Sequence, residues 1–119
     1  MKRILIVEDD VDLGQTVAQS LAEEGYATEI ASDGQAALDA LRREVPDLVL
    51  LDLMMANMNG WEFRERQLAD PLWARIPVVV LTAVSDPVST TIQASEVLKK
   101  PVSLDEVLAA IRRHAGKGR

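Results

Sequence analysis

Four short stretches place oxygen and nitrogen chemistry directly behind apolar runs. Ile4 to Val7 stops in Glu8-Asp9-Asp10, Leu48 to Leu51 in Asp52, Val78 to Leu81 in Thr82, and a weaker run in Lys99-Lys100-Pro101. Gathered at one edge of a fold, such carboxylates repel, each pair by about 4 kcal/mol at about 4 Å and an effective dielectric near 20. A divalent cation relieves that repulsion, and hard carboxylate and carbonyl oxygens with a few waters suit Mg2+ or Mn2+. Sites of this kind commonly engage phosphate, and a lysine ammonium with a hydroxyl in the same crevice would complete an anion pocket.

Each residue alone also has a plainer role. Acids after a strand often cap the next helix, which suits Asp10 and Asp12. A lone Thr82 is an ordinary β-former, and a Lys-Lys pair is ordinarily solvated surface. Asp52 is harder to dismiss, because Leu53-Met54-Met55 follows it and the surroundings stay apolar. The joint placement carries the argument.

Composition narrows the chemistry. With no cysteine and one histidine, His114, thiolate catalysis, disulfide frameworks and structural zinc lose support. Thirteen basic against nineteen acidic residues give a net charge of −6, which disfavours a nucleic-acid partner. Apolar runs stay far below the roughly 18 residues of a membrane span, so the expectation is a cytoplasmic protein with no membrane partner. Its 119 residues fit one domain, expected over 1–115, with 116–119 as a flexible tail.

The elements that must position these residues are legible from periodicity. The three strong apolar runs read as strands buried on both faces, with weaker strands at Ala27 to Ala31 and Glu96 to Lys99. Between them Leu13, Val17 and Leu21, then Ala37, Leu38 and Leu41, and finally Leu104, Val107, Leu108 and Ile111 follow helical spacing. Ser32 with Gln35 and Ser103 with Glu106 read as capping boxes, and Gly25 reads as a helix stop. Strand–helix alternation with short connections predicts a doubly wound α/β domain with a parallel sheet, whose ligand crevice lies at the carboxyl ends of the strands.

The segments ILIVEDD at 4–10, PDLVLLDLMM at 46–55, NGWEF at 59–63, IPVVVLTA at 76–83 and KKP at 99–101 together resemble the receiver domain of two-component response regulators. The resemblance runs over almost the whole chain. It implies a flavodoxin-like five-stranded sheet of order 2-1-3-4-5. It also implies a single-domain, non-enzymatic signalling protein with Asp52 as phosphoacceptor for a sensor histidine kinase or histidine phosphotransfer protein. By the same resemblance Asp9, Asp52 and the Met54 backbone carbonyl ligate Mg2+, with Mn2+ as a substitute, and Glu8 acts through water. Thr82 is the switch hydroxyl, Lys100 pairs with the phosphoryl group, and a downstream protein target reads the switched surface.

Departures from the family pattern concern the output side. Ala56 replaces a usual proline, Asn59 a common aspartate, and Val97 the aromatic residue that ordinarily changes rotamer with the switch hydroxyl. The stretch from Thr82 to Lys100 is short by about four residues, roughly one helical turn, and predicts a shortened or irregular fourth helix. These features keep open a second class, a constitutive interaction module without a switch. A small phosphatase with an Asp52 nucleophile is weaker, because Met54 stands where an acid–base aspartate belongs. Dinucleotide binding fails, because Glu-Asp-Asp follows the first strand where a glycine-rich loop belongs.

Overall fold

A computed structural model describes residues 1–53, 59–83 and 94–118. Strands β1 (Arg3–Val7), β2 (Ala27–Ala31), β3 (Leu48–Asp52), β4 (Val78–Thr82) and β5 (Glu96–Lys99) form one sheet of order β2-β1-β3-β4-β5, all neighbours parallel. Helices α1 (Val11–Glu23), α2 (Gly34–Arg43), α3 (Gly60–Ala69) and α4 (Leu104–Ala115) are the described helices, with a single 3-10 turn at Trp73–Arg75. The expected shortened helix between Thr82 and Lys100 falls on residues 84–93, outside the described residues, as do Met54 and Ala56.

Strand alternation divides the core between the two faces. Leu5, Val7, Val49, Leu51, Val78 and Val80 pack on one side with Leu38 and Leu41 of α2 and Phe63 of α3. Ile4, Ile6, Leu48, Leu50, Val79 and Leu81 pack on the other with Val17 and Leu21 of α1 and Val107 and Ile111 of α4. Sealed faces explain the nearly unbroken apolar runs: each fully buried side chain contributes about 1.5–3 kcal/mol, and none can be polar without a partner.

Helix ends show where local chemistry agreed with the sequence reading and where it did not. Asp10 caps α1 by accepting from the Leu13 amide at 3.1 Å. Ser103 caps α4 by accepting from the Glu106 amide at 3.1 Å, and its hydroxyl donates to Glu106. The cap of α2 is Asp33 in place of the expected Ser32: its carboxylate accepts from the Ala36 amide at 2.8 Å, a stronger acceptor one residue further on. Gly25, at φ 91°, ends α1 with paired bonds from its own amide to Ala22 and from the Tyr26 amide to Leu21, the left-handed stop that glycine allows.

Residues 116–118 carry an unexpected contact for a stretch read as a tail. The Tyr26 hydroxyl donates to the Gly116 carbonyl at 2.7 Å, and Gly118 is buried against the Glu24–Tyr26 backbone. Leu13, although on the helical spacing, is 38% exposed at the start of α1.

Candidate functional site

Parallel register builds the site one step at a time. Val7 pairs with Leu51, so Glu8 and Asp52 leave the sheet side by side. Asp52 pairs with Leu81, setting Thr82 one residue beyond, and Thr82 pairs with Lys99, setting Lys100 beyond that. The Lys100 amide donates to the Thr82 carbonyl at 2.8 Å, and the Lys100–Pro101 peptide is cis. Residues as far apart in the chain as Glu8 and Lys100 thus reach one rim.

The side chains converge as the sequence reading required. Carboxylate oxygens of Glu8, Asp9 and Asp52 all lie within 4.8 Å of one another. The Lys100 ammonium stands 3.6 Å from Asp52 Oδ2 and 3.8 Å from Glu8 Oε1. Glu8 and Asp52 are buried and Thr82 is fully enclosed, whereas Asp9 is exposed and Lys100 half-buried. Asp10 points its carboxylate at its own helix, which resolves its two readings toward capping.

Burying two acids beside one ammonium leaves a deficit of positive charge. Burial pushes the Glu8 carboxyl up to about 8, helped by its hydrogen bond with Asp52 and by repulsion from the same group. Lys100 and the Asp10 amide pull in the opposite direction without overcoming it. Beneath these acids, Ile6, Gly14, Val17 and Leu50 line a void of about 10 Å3, an apolar floor that offers the carboxylates no polar partner.

The donor set fits a hard divalent cation: three carboxylates within reach of one another, one open to solvent. It is the sole such cluster of three potential ligand side chains among the described residues. Met54, whose backbone carbonyl was expected as a ligand, lies outside them. Sequence reasoning noted Gly60 only within the NGWEF segment and overlooked that it packs directly on the Asp52–Leu53 backbone, a closeness that the residue types do not reveal.

Fold and site together define a receiver. The response regulator receiver domain matches residues 4–112, and the chain belongs to that family. It is 38% identical over 115 residues to the DNA-binding response regulator MtrA of Mycobacterium tuberculosis, covering 93% of this chain and 49% of that protein. The chain thus spans about half the length of such curated relatives. Among solved structures it resembles the signal receiver domain of a signal transduction histidine kinase from Syntrophus aciditrophicus, with TM-score 0.91, 30% identity and coverage of 97% and 90% of the two chains. It also resembles the receiver domain of a sensor histidine kinase from Pseudomonas aeruginosa PAO1, with TM-score 0.85, 26% identity and 98% of each chain covered. That domain has a magnesium ion coordinated in its active site cleft. Among the described residues, no helix is long and apolar enough to cross a membrane.

Proposed function

We propose that Asp52 accepts a phosphoryl group from a phosphohistidine on a sensor histidine kinase or phosphotransfer protein in the cytoplasm. The observation that carries this reading is the buried Asp52 carboxylate clustered with those of Glu8 and Asp9 and 3.6 Å from the Lys100 ammonium. A carboxylate oxygen of Asp52 attacks phosphorus, the P–N bond breaks as the O–P bond forms with its electron pair staying on nitrogen, and the imidazole leaves as a neutral ring because its other nitrogen already carries a proton from water. Lys100 holds negative charge on the transferred oxygens, so catalysis is mainly positioning and electrostatics.

Asp9, Asp52 and the Met54 carbonyl would hold Mg2+ or Mn2+, with Glu8 acting through water. When bound, the metal neutralises charge on the phosphoryl oxygens. The acyl phosphate adds charge and acceptor oxygens beside Thr82, whose hydroxyl donates to them and biases the neighbouring surface read by a protein target. With net charge −6, that target is a protein surface and not a phosphate backbone. Incubation with Mg2+ and acetyl phosphate followed by intact mass tests the reading: one PO3 unit is expected in the wild type and none in Asp52→Asn.

A second reading keeps the site but removes the switch. Val97 pairs with Val80 and packs as a half-buried aliphatic side chain against the core, where a rotating aromatic ring is usual. Amide spectra with and without beryllofluoride separate the two readings. Large shifts around Thr82 and β5 support switching, and silence there supports a constitutive module.

A further inference from the structure

Gly60 is the first residue of α3, and its amide donates to the Leu53 carbonyl at 2.9 Å. A methyl group on its Cα would lie 2.7 Å from Leu53 Cα, 2.8 Å from Leu53 Cδ2 and 2.9 Å from the Asp52 carbonyl oxygen. Carbon atoms in favourable contact stand about 3.5–4.0 Å apart, and two of these three neighbours are backbone. Positive φ among the described glycines occurs at Gly25 and Gly116, so Gly60 answers a demand for space and not for unusual backbone. Gly14, beside Glu8, is different: there the nearest contact of an added Cβ is a side-chain methyl at 3.4 Å.

Neither partner can retreat cheaply. α3 is pinned by Phe63, which is fully buried, and β3 is held by β1 and β4 on its two edges. In a close-packed interior the strain of an added methyl must therefore fall on the Asp52–Leu53 peptide at the end of the strand, where the Leu53 amide reaches the Leu81 carbonyl at 3.4 Å, longer than the 2.9 Å bond from Gly60 to Leu53. That peptide carries the Asp52 carboxylate and leads directly into Met54.

We propose that Gly60 is a positioning residue for the acceptor: the absence of a side chain lets α3 dock on the Asp52–Leu53 backbone and fixes where the Asp52 carboxylate meets Glu8, Asp9 and Lys100. The inference rests on the phosphoacceptor reading above. A displacement of about 1 Å at a reacting group costs roughly a hundred-fold in rate, and disturbed support of a metal ligand costs about ten-fold or more in metal affinity.

The test compares wild type, Gly60→Ala and Ile111→Val, the last a core change on α4 that lowers stability away from the rim. Mg2+ affinity by isothermal titration and the initial rate of adduct formation from acetyl phosphate are measured at matched folded fraction. The expected result is about ten-fold weaker Mg2+ binding and about a hundred-fold slower adduct formation in Gly60→Ala, with Ile111→Val unchanged. A folded Gly60→Ala with wild-type affinity and rate overturns the inference, as does an equal loss in Ile111→Val. Should Gly60→Ala fail to fold, hydrogen exchange of the wild-type Gly60 amide decides: Mg2+ must slow it, and unchanged exchange overturns the proposal. A wild type that takes no Asp52-dependent adduct sinks the phosphoacceptor reading itself, whereas equal adducts in wild type and Gly60→Ala sink only the role of Gly60.

Discussion

The two ends of the sheet use the same residue types to opposite effect. Around the amino end of β1, Arg3 pairs with Glu44 and with Glu29 at the middle of edge strand β2, Arg43 also pairs with Glu29, and the Arg3 amide donates to Asp47 at 2.7 Å. Acids and bases there are interleaved, and the side chains are half-buried or exposed, so each charge finds a partner or water. At the carboxyl ends, Glu8 and Asp52 share Lys100 with Asp9 close beside them, and the two acids that share it are buried. The first network balances itself; the second stays short of positive charge, a repulsion that a bound cation would relieve.

Substitutions should divide along the same line. Lys100→Met removes the ammonium and is expected to slow adduct formation by about a hundred- to a thousand-fold, read from initial rates with acetyl phosphate; a rate within a few-fold of wild type would remove Lys100 from the chemistry. Glu29→Gln, in the network around Arg3, should leave that rate unchanged.

The second contrast is in pH. Glu8 titrates near about 8 in the metal-free fold against about 4.5 in the unfolded chain, so the folded chain holds the extra proton between these values. Stability of the metal-free protein should therefore be greatest below about pH 4.5 with respect to this group, fall as pH rises toward about 8, and level off above. Thermal unfolding across that window checks it. Mg2+ should raise the melting temperature more at the alkaline end, and Glu8→Gln should flatten the slope. A slope of the same size in Glu8→Gln would assign it to another group.

The smallest effect is expected at the amino end. Removing one ion pair there, as in Arg43→Gln, should cost about 0.2–1 kcal/mol, read by denaturant unfolding. A larger loss would mean that this network does more than solvate the rim.

How much of this was visible beforehand depended on the range of the interaction. β2 and β5 have the boundaries their composition predicted, and the three apolar runs are one residue short of the strands they mark, because burial on both faces writes itself into consecutive residues. The ends of those runs located Glu8, Asp52, Thr82 and Lys100, since parallel strands deliver their last residues to one edge. Local ambiguity hid the α2 cap, where Ser32 and Asp33 are adjacent and either could serve. Distant contacts that no strand end delivers were not legible: the Tyr26 hydroxyl meets Gly116 across 90 residues. The approach of Gly60 to Leu53 depends on how closely a helix docks on a strand, which no pattern of residue types encodes.

Peptide mapping after exposure to acetyl phosphate, with and without Mg2+, tests the deficit at the carboxyl rim most directly. A single PO3 group on Asp52, labile to alkali and to hydroxylamine as an acyl phosphate is, should form with Mg2+ and be absent without it. An unmodified Asp52 under both conditions, or modification elsewhere in the chain, would contradict it.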